Sequence, residues 1–117
     1  MLHKMGLYNG PFQSIKSGRK TVEVRLNDEK RRKLTRGDVI VFTRIPERDE
    51  VLTVEVLALR KYDTFRQMYE EIPAEDMDEE GRSIDEMVKN TFKIYTPDQE
   101  KEWGTLAITI KVQGGDF

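Results

Sequence analysis

The chain has no cysteine among its 117 residues, which excludes disulfides, thiolate nucleophiles and zinc-thiolate sites. It has one histidine, His3, beside the start of the chain, where a surface position is expected rather than a ligand or catalytic role. Four prolines and eight glycines are scattered, so no flexible linker divides the sequence. No apolar run approaches the roughly eighteen residues of a membrane span, and Met1 to Lys4 lack the apolar stretch of a signal peptide. No membrane partner is expected, and the expected location is the cytoplasm.

Hydrophobic residues make up 37% of the chain and charged residues 36%, the balance of a globular core under a charged surface. A chain of 117 residues fits one domain, residues 1–117, with one principal cleft. The net charge of -2 conceals an asymmetry. Residues 1–48 carry twelve Lys/Arg against five Asp/Glu, and residues 49–117 carry eight against seventeen. The basic half is compatible with an anionic partner, RNA or a nucleotide phosphate, or with a solvated face; the Lys30 to Lys33 segment, with no aromatic among it, fits the solvated face. Nine carboxylates between Glu70 and Glu86, around Pro73 and Gly81, read as an exposed loop. They lack calcium-loop spacing, which argues against a metal site there, and no cofactor is expected.

The periodicity predicts an α+β domain. His3 to Tyr8 reads as a short strand, followed by a helix capped by Asn9 that carries Phe12 and Ile15 on one face and stops at Gly18. The run from Thr21 to Arg25 then alternates: Val22 and Val24 turn to a core, while Thr21, Glu23 and Arg25 turn the other way. Asn27 to Leu34 is a charged helical turn. Arg36-Gly37-Asp38 turns the chain into a strand over Val39–Thr43, which is expected to pair as a hairpin with Val51–Leu59, whose inner face is Leu52, Val54, Val56 and Ala58. Thr64 caps a helix holding Phe65, Met68 and Tyr69, and a second helix runs from Ser83 to about Tyr95. A turn from Thr96 to Trp103 is broken at Gly104, Thr105 to Val112 is the last strand, and Gly114 to Phe117 is expected to fray. Short helices without βαβ spacing favour a mixed or antiparallel sheet curled into a barrel.

Polar chemistry concentrates in Gly18-Arg19-Lys20-Thr21-Val22-Glu23-Val24-Arg25, where a helix stop and a strand bring an amine, a carboxylate and a guanidinium into one segment. Arg19, Lys20 and Arg25 can hold phosphate or carbonyl oxygens, and Glu23 can accept from an amino group. The same groups can also pair among themselves as surface ion pairs.

Gly18, Lys20, Glu23 and Arg25 match the GxKxxExR signature of the ASCH family, a branch of the PUA-like superfamily. The run from Gly37 to Phe42 and the segment from Trp103 to Ile108 also resemble that family's turn-strand and final strand. The resemblance spans nearly the whole chain. It implies a PUA-like mixed pseudo-barrel of five to six strands with flanking short helices, and an RNA or nucleoside ligand in a cleft beside the signature. Tyr95 and Trp103 could then stack on a base.

Small bacterial amidohydrolases of this family, acting on N4-acetylcytidine, are more distant relatives by resemblance. Their lysine corresponds to Lys20, but their threonine nucleophile falls on Glu23, which has no hydroxyl. Thr21 is the conceivable substitute, and the downstream acid falls near Glu80. Alternatively, Lys20 beside Glu23 could activate water or a ribose hydroxyl for RNA cleavage, although a lysine paired with a carboxylate holds its proton and makes a poor base.

Overall fold

The computed structural model describes residues 1–113; the fraying expected of Gly114 to Phe117 lies outside the described residues. Five strands form one curled sheet: β1 (Leu2–Tyr8), β2 (Val22–Leu26), β3 (Val39–Ile45), β4 (Val51–Tyr62) and β5 (Thr105–Val112). Four helices flank it: α1 (Asn9–Lys16), α2 (Phe65–Glu71), α3 (Ile84–Thr91) and α4 (Pro97–Trp103). The strand order is β1-β3-β4-β5-β2, with β1 parallel to β3 and every other pair antiparallel. This is the mixed α+β half-barrel that the periodicity and the resemblance pointed to, with five strands. No helix among the described residues is long and apolar enough to cross a membrane.

Two apolar clusters lie on the two faces of the curled sheet. One joins Phe12 and Ile15 of α1 to Ile40, Phe42, Val54, Val56, Leu106 and Ile108. The other packs Val22, Leu26 and Ala107 against Phe65, Met68 and Tyr69 of α2 and Met87 of α3. Alternate residues of β5 feed opposite clusters, so this strand is buried on both faces from Thr105 to Ile108.

The β3–β4 hairpin forms as expected, but the pairing of β4 with β5 shifts register between Val56 and Ala58. A bulge adds one unpaired residue and reverses the alternation beyond it. Leu57 is exposed, as alternation from Val56 requires, but Leu59, rather than Ala58, continues the apolar face. Helix starts are as read at Thr64, Ser83 and Thr96, each hydroxyl accepting the backbone N–H three residues on. Asn9 is not the cap of α1: it is the first helical residue, and its Oδ1 accepts instead from Gln13 and Arg44. Helix α3 stops at Thr91, short of Tyr95.

The surface position expected of His3 is corrected. His3 is buried in β1, its Nε2 2.9 Å from Asp38 Oδ2, because Leu2 and His3 pair in parallel with Val39 and Ile40 and bring the imidazole over the Gly37 turn. The same Asp38 oxygen accepts the Thr35 N–H at 2.9 Å. The hydrogen bond from His3 and those from Thr35 hold the Asp38 carboxyl well below the usual carboxylate range.

Candidate functional site

The site starts at the end of α1. Gly18 N–H donates to the Ile15 carbonyl at 3.0 Å with φ at 83°, a left-handed conformation that glycine adopts without a Cβ penalty. The chain then folds back, Lys20 N–H reaching the Ser14 carbonyl at 3.0 Å. Lys20 also forms an isolated antiparallel bridge with Met77, and Thr21 N–H donates to Asp76 at 2.8 Å. From Val22 onward the strand pairs with β5, Glu23 opposite Ile108 and Arg25 opposite Leu106. Lys20 is thus fixed between α1 and the 74–78 turn, and Glu23 and Arg25 by the sheet.

Three charges converge there. Lys20 Nζ lies 3.0 Å from Glu23 Oε1, and Arg25 Nε donates to Glu23 Oε2 at 2.8 Å. Glu23 is only 3% exposed, so these are not the surface ion pairs the strand alone could form. Arg25 donates further from Nη2 to the Gly6 carbonyl at 2.8 Å, and its guanidinium lies 6.0 Å from the Phe42 ring centre. Burial pushes the Glu23 carboxyl up, but the charges of Lys20 and Arg25 and their hydrogen bonds outweigh it and leave its pKa below the ordinary value. The trio carries a net charge of about +1 in a region of low dielectric.

Lys20, Glu23 and Arg25 line a cavity of about 320 Å³ at the seam between β1 and β2. Gly6, Leu7, Tyr8 and Pro11 form one wall, and Met87, Asn90, Thr91, Ile94 and Tyr95 another. Val24, Ile45, Tyr69, Met77 and Glu79 complete it. Thr91 Oγ1 donates to the Met87 carbonyl at 2.8 Å and stands 2.6 Å from Tyr69 OH, so the Tyr69 hydroxyl is the donor of that pair. Burial is the main cause that raises the Tyr69 phenol to about 12.

The remaining candidates are placed elsewhere. Arg19 is exposed, its Nε 3.4 Å from Asp78 Oδ2, which also accepts from Ser14 at 2.7 Å. Thr21 is exposed, its hydroxyl 3.5 Å from the Asp76 carbonyl, and lies outside the cavity lining. Glu80 is exposed and off the lining, whereas Glu79 is on it. Tyr95 is on the lining, but Trp103 is not: it borders a separate depression of about 880 Å³ with Asn27, Tyr62 and Gln67, with Arg32 packed 5.3 Å from its ring centre. In the basic segment Lys30 Nζ donates to the Lys4 carbonyl and Arg31 pairs with Asp28, so three of its four cations make contacts within the fold.

The acidic stretch is also corrected. It is not simply an exposed loop: Ile72 and Met77 are buried, and the turn from Ala74 to Asp76 fastens to Lys20 and Thr21. The buried Ile72 and Met77 were the signal in the sequence, outweighed by nine carboxylates.

The chain matches the ASCH domain family over residues 5–113. Among solved structures it is similar to the hypothetical protein PH0355, with 36% identity, a TM-score of 0.86, and 97% of this chain and 100% of that one covered. It is similar also to protein PF0455 from Pyrococcus furiosus, with 37% identity, a TM-score of 0.76, and coverage of 96% and 97%. An ASCH domain from Lactobacillus crispatus shares the fold at 14% identity and a TM-score of 0.65, with 94% of this chain and 79% of that one aligned. No curated protein matches the chain.

Proposed function

Because this chain belongs to the ASCH domain family, generally thought to bind RNA, we propose that it acts in the cytoplasm as a binding module for an RNA or nucleoside-type ligand held in the Lys20–Glu23–Arg25 cavity. The observation that carries this reading is the buried Glu23 between two cations on a cavity wall. Buried ion pairs are a poor way to stabilise a fold, since apolar residues of similar volume do as well or better. A charged trio kept open to a cavity is better explained by a ligand with polar edges.

Lys20 and Arg25 supply donors to carbonyl or anionic oxygens, and the unused lone pairs of the Glu23 carboxylate accept from an amino or hydroxyl group. The net positive charge of the trio favours the first. A cavity of about 320 Å³ suits one nucleoside rather than a long strand. Few phosphate contacts mean a shallow dependence on salt.

A second reading, hydrolysis of a modified nucleoside such as N4-acetylcytidine or cleavage of RNA, is favoured by one observation: Glu79, whose Oε2 is ion-paired with Arg82 at 2.9 Å, lines the same cavity as Lys20. Thr21 and Glu80 have no part in this version, and water takes the role of nucleophile with a carboxylate as base. Calorimetric titration of cytidine, N4-acetylcytidine and short RNAs into the wild type and Lys20→Ala tests the binding reading. Binding lost in the variant supports it; equal or absent binding in both overturns it. Acetate or cleaved RNA appearing with the wild type and not with Lys20→Ala would make the module an enzyme.

A further inference from the structure

Tyr8 and Ile94 are 67% and 74% exposed, and both line the cavity that holds the charged trio. Of the large apolar side chains left in water, these two lie at the site. They belong to different walls: Tyr8 ends β1 and leads into α1, whereas Ile94 follows α3. Neither contributes to either apolar cluster. An exposed aromatic and an exposed aliphatic at the mouth of a polar cavity leave unburied apolar surface that a flat ligand would cover.

Resting on the binding reading above, we propose that Tyr8 and Ile94 are apolar lips that take the faces of a single unpaired nucleobase, whose polar edge reaches Lys20, Glu23 and Arg25. The ligand class is therefore a base free of its partner, in single-stranded RNA or as a nucleoside, and not a duplex. The faces of a base in a duplex are covered by its neighbours, and its hydrogen-bonding edge is occupied by its complement. Aromatic stacking accepts any base, so the lips supply affinity and the charged trio supplies selectivity. The aromatic partner is then Tyr8, while Tyr95 lines the cavity with its ring stacked on Phe65 at 5.6 Å.

The experiment uses a single-stranded RNA of roughly fifteen nucleotides, long enough to stay annealed as a duplex, carrying one central 2-aminopurine, the same strand annealed to its complement, and cytidine, each titrated against wild type, Tyr8→Ala, Tyr8→Phe and Ile94→Ser. Stacking quenches the 2-aminopurine fluorescence that the free strand shows. Tyr8→Ala is expected to weaken binding of the single strand about tenfold, and Tyr8→Phe to stay within about twofold of the wild type. Ile94→Ser is expected to weaken it about threefold, and the duplex to bind at least tenfold less tightly than the single strand. Melting temperatures are expected to stay level, because both side chains are largely in water. Wild-type binding that Tyr8→Ala leaves unchanged, or duplex bound as well as single strand, overturns this inference alone. Absence of binding by the wild type overturns the binding reading and this inference with it.

Discussion

Arg25 Nη2 donates to the backbone carbonyl oxygen of Gly6 at 2.8 Å, and this one bond joins β2 and β1, the two outermost strands of the sheet. The strands do not pair through their backbones, so a side chain does across the seam what a ladder does elsewhere. The guanidinium spans the seam because its planar fork presents Nε to Glu23 and Nη2 to Gly6 at once.

Arg25→Lys keeps the charge and loses the fork. An ammonium on a shorter reach cannot serve both acceptors with the same geometry, and the expected loss of unfolding free energy is about 1–2 kcal/mol. Urea denaturation measures it. A variant as stable as the wild type would mean that the seam needs no bridge.

Glu23→Ala removes the anion and leaves Lys20 and Arg25 facing each other, with side chains 15% and 12% exposed. Breaking a buried pair on one side costs about 3–5 kcal/mol, and the partial access of both cations to water puts this case near 3 kcal/mol. Replacing Lys20 with Met in the Glu23→Ala background should return part of that loss. A single variant that loses less than about 1 kcal/mol would show both cations satisfied by water.

Stability should fall in acid by way of Asp38 and Glu23. Both carboxyls have folded pKa values below their ordinary 3.8 and 4.5. Their contributions are therefore complete above the unfolded values and are lost as the pH drops through the lower folded ones. Asp38→Asn should be less stable than the wild type at neutral pH and should lose less on acidification below about pH 4. Denaturant midpoints measured from neutral pH down into acid test this; parallel curves for the two proteins would count against it.

Two glycines should respond unequally to alanine. At Gly104 φ is 71° and an added Cβ would lie 3.1 Å from the Tyr62 carbonyl oxygen, so Gly104→Ala should cost about 1–3 kcal/mol. Gly10 lies within α1 with nothing beyond its chain neighbours within 4 Å of an added Cβ, but Pro11 follows it and disfavours a helical residue bearing a Cβ, which offsets the entropy gained, so Gly10→Ala should change stability by less than about 1 kcal/mol. Thermal melts in which Gly10→Ala loses as much as Gly104→Ala would refute the comparison.

Much of the fold was legible because its signals are local. The alternation of Val22 and Val24, the Gly37 turn and the hydroxyl caps at Thr64, Ser83 and Thr96 each act over a few residues. The trio was legible for the same reason, lying within one short segment. What was hidden depends on pairing across the chain. The bulge at Leu57 exists only relative to β5, and His3 is buried only because β1 lies alongside β3. Glu79 rather than Glu80 reaches the cavity because the 74–78 turn is fastened to Lys20 and Thr21. Residue type alone does not tell which aromatic borders which cavity: Tyr8 and Tyr95 line the one with the charged trio, and Trp103 does not.

The edge position of β2 has a consequence in time. Its only strand neighbour is β5, Val22 lying opposite Thr109, so β2 has no strand to pair with until β5 has been made. Closing so long a loop is slow, and β5 must also complete β4 before the sheet can curl. A nascent chain halted short of Thr105 would carry Lys20, Glu23 and Arg25 in its sequence while presenting a loose, highly charged ribbon in place of a pocket. The pocket therefore takes shape only once β5 has been made and paired, although its charged residues are made long before.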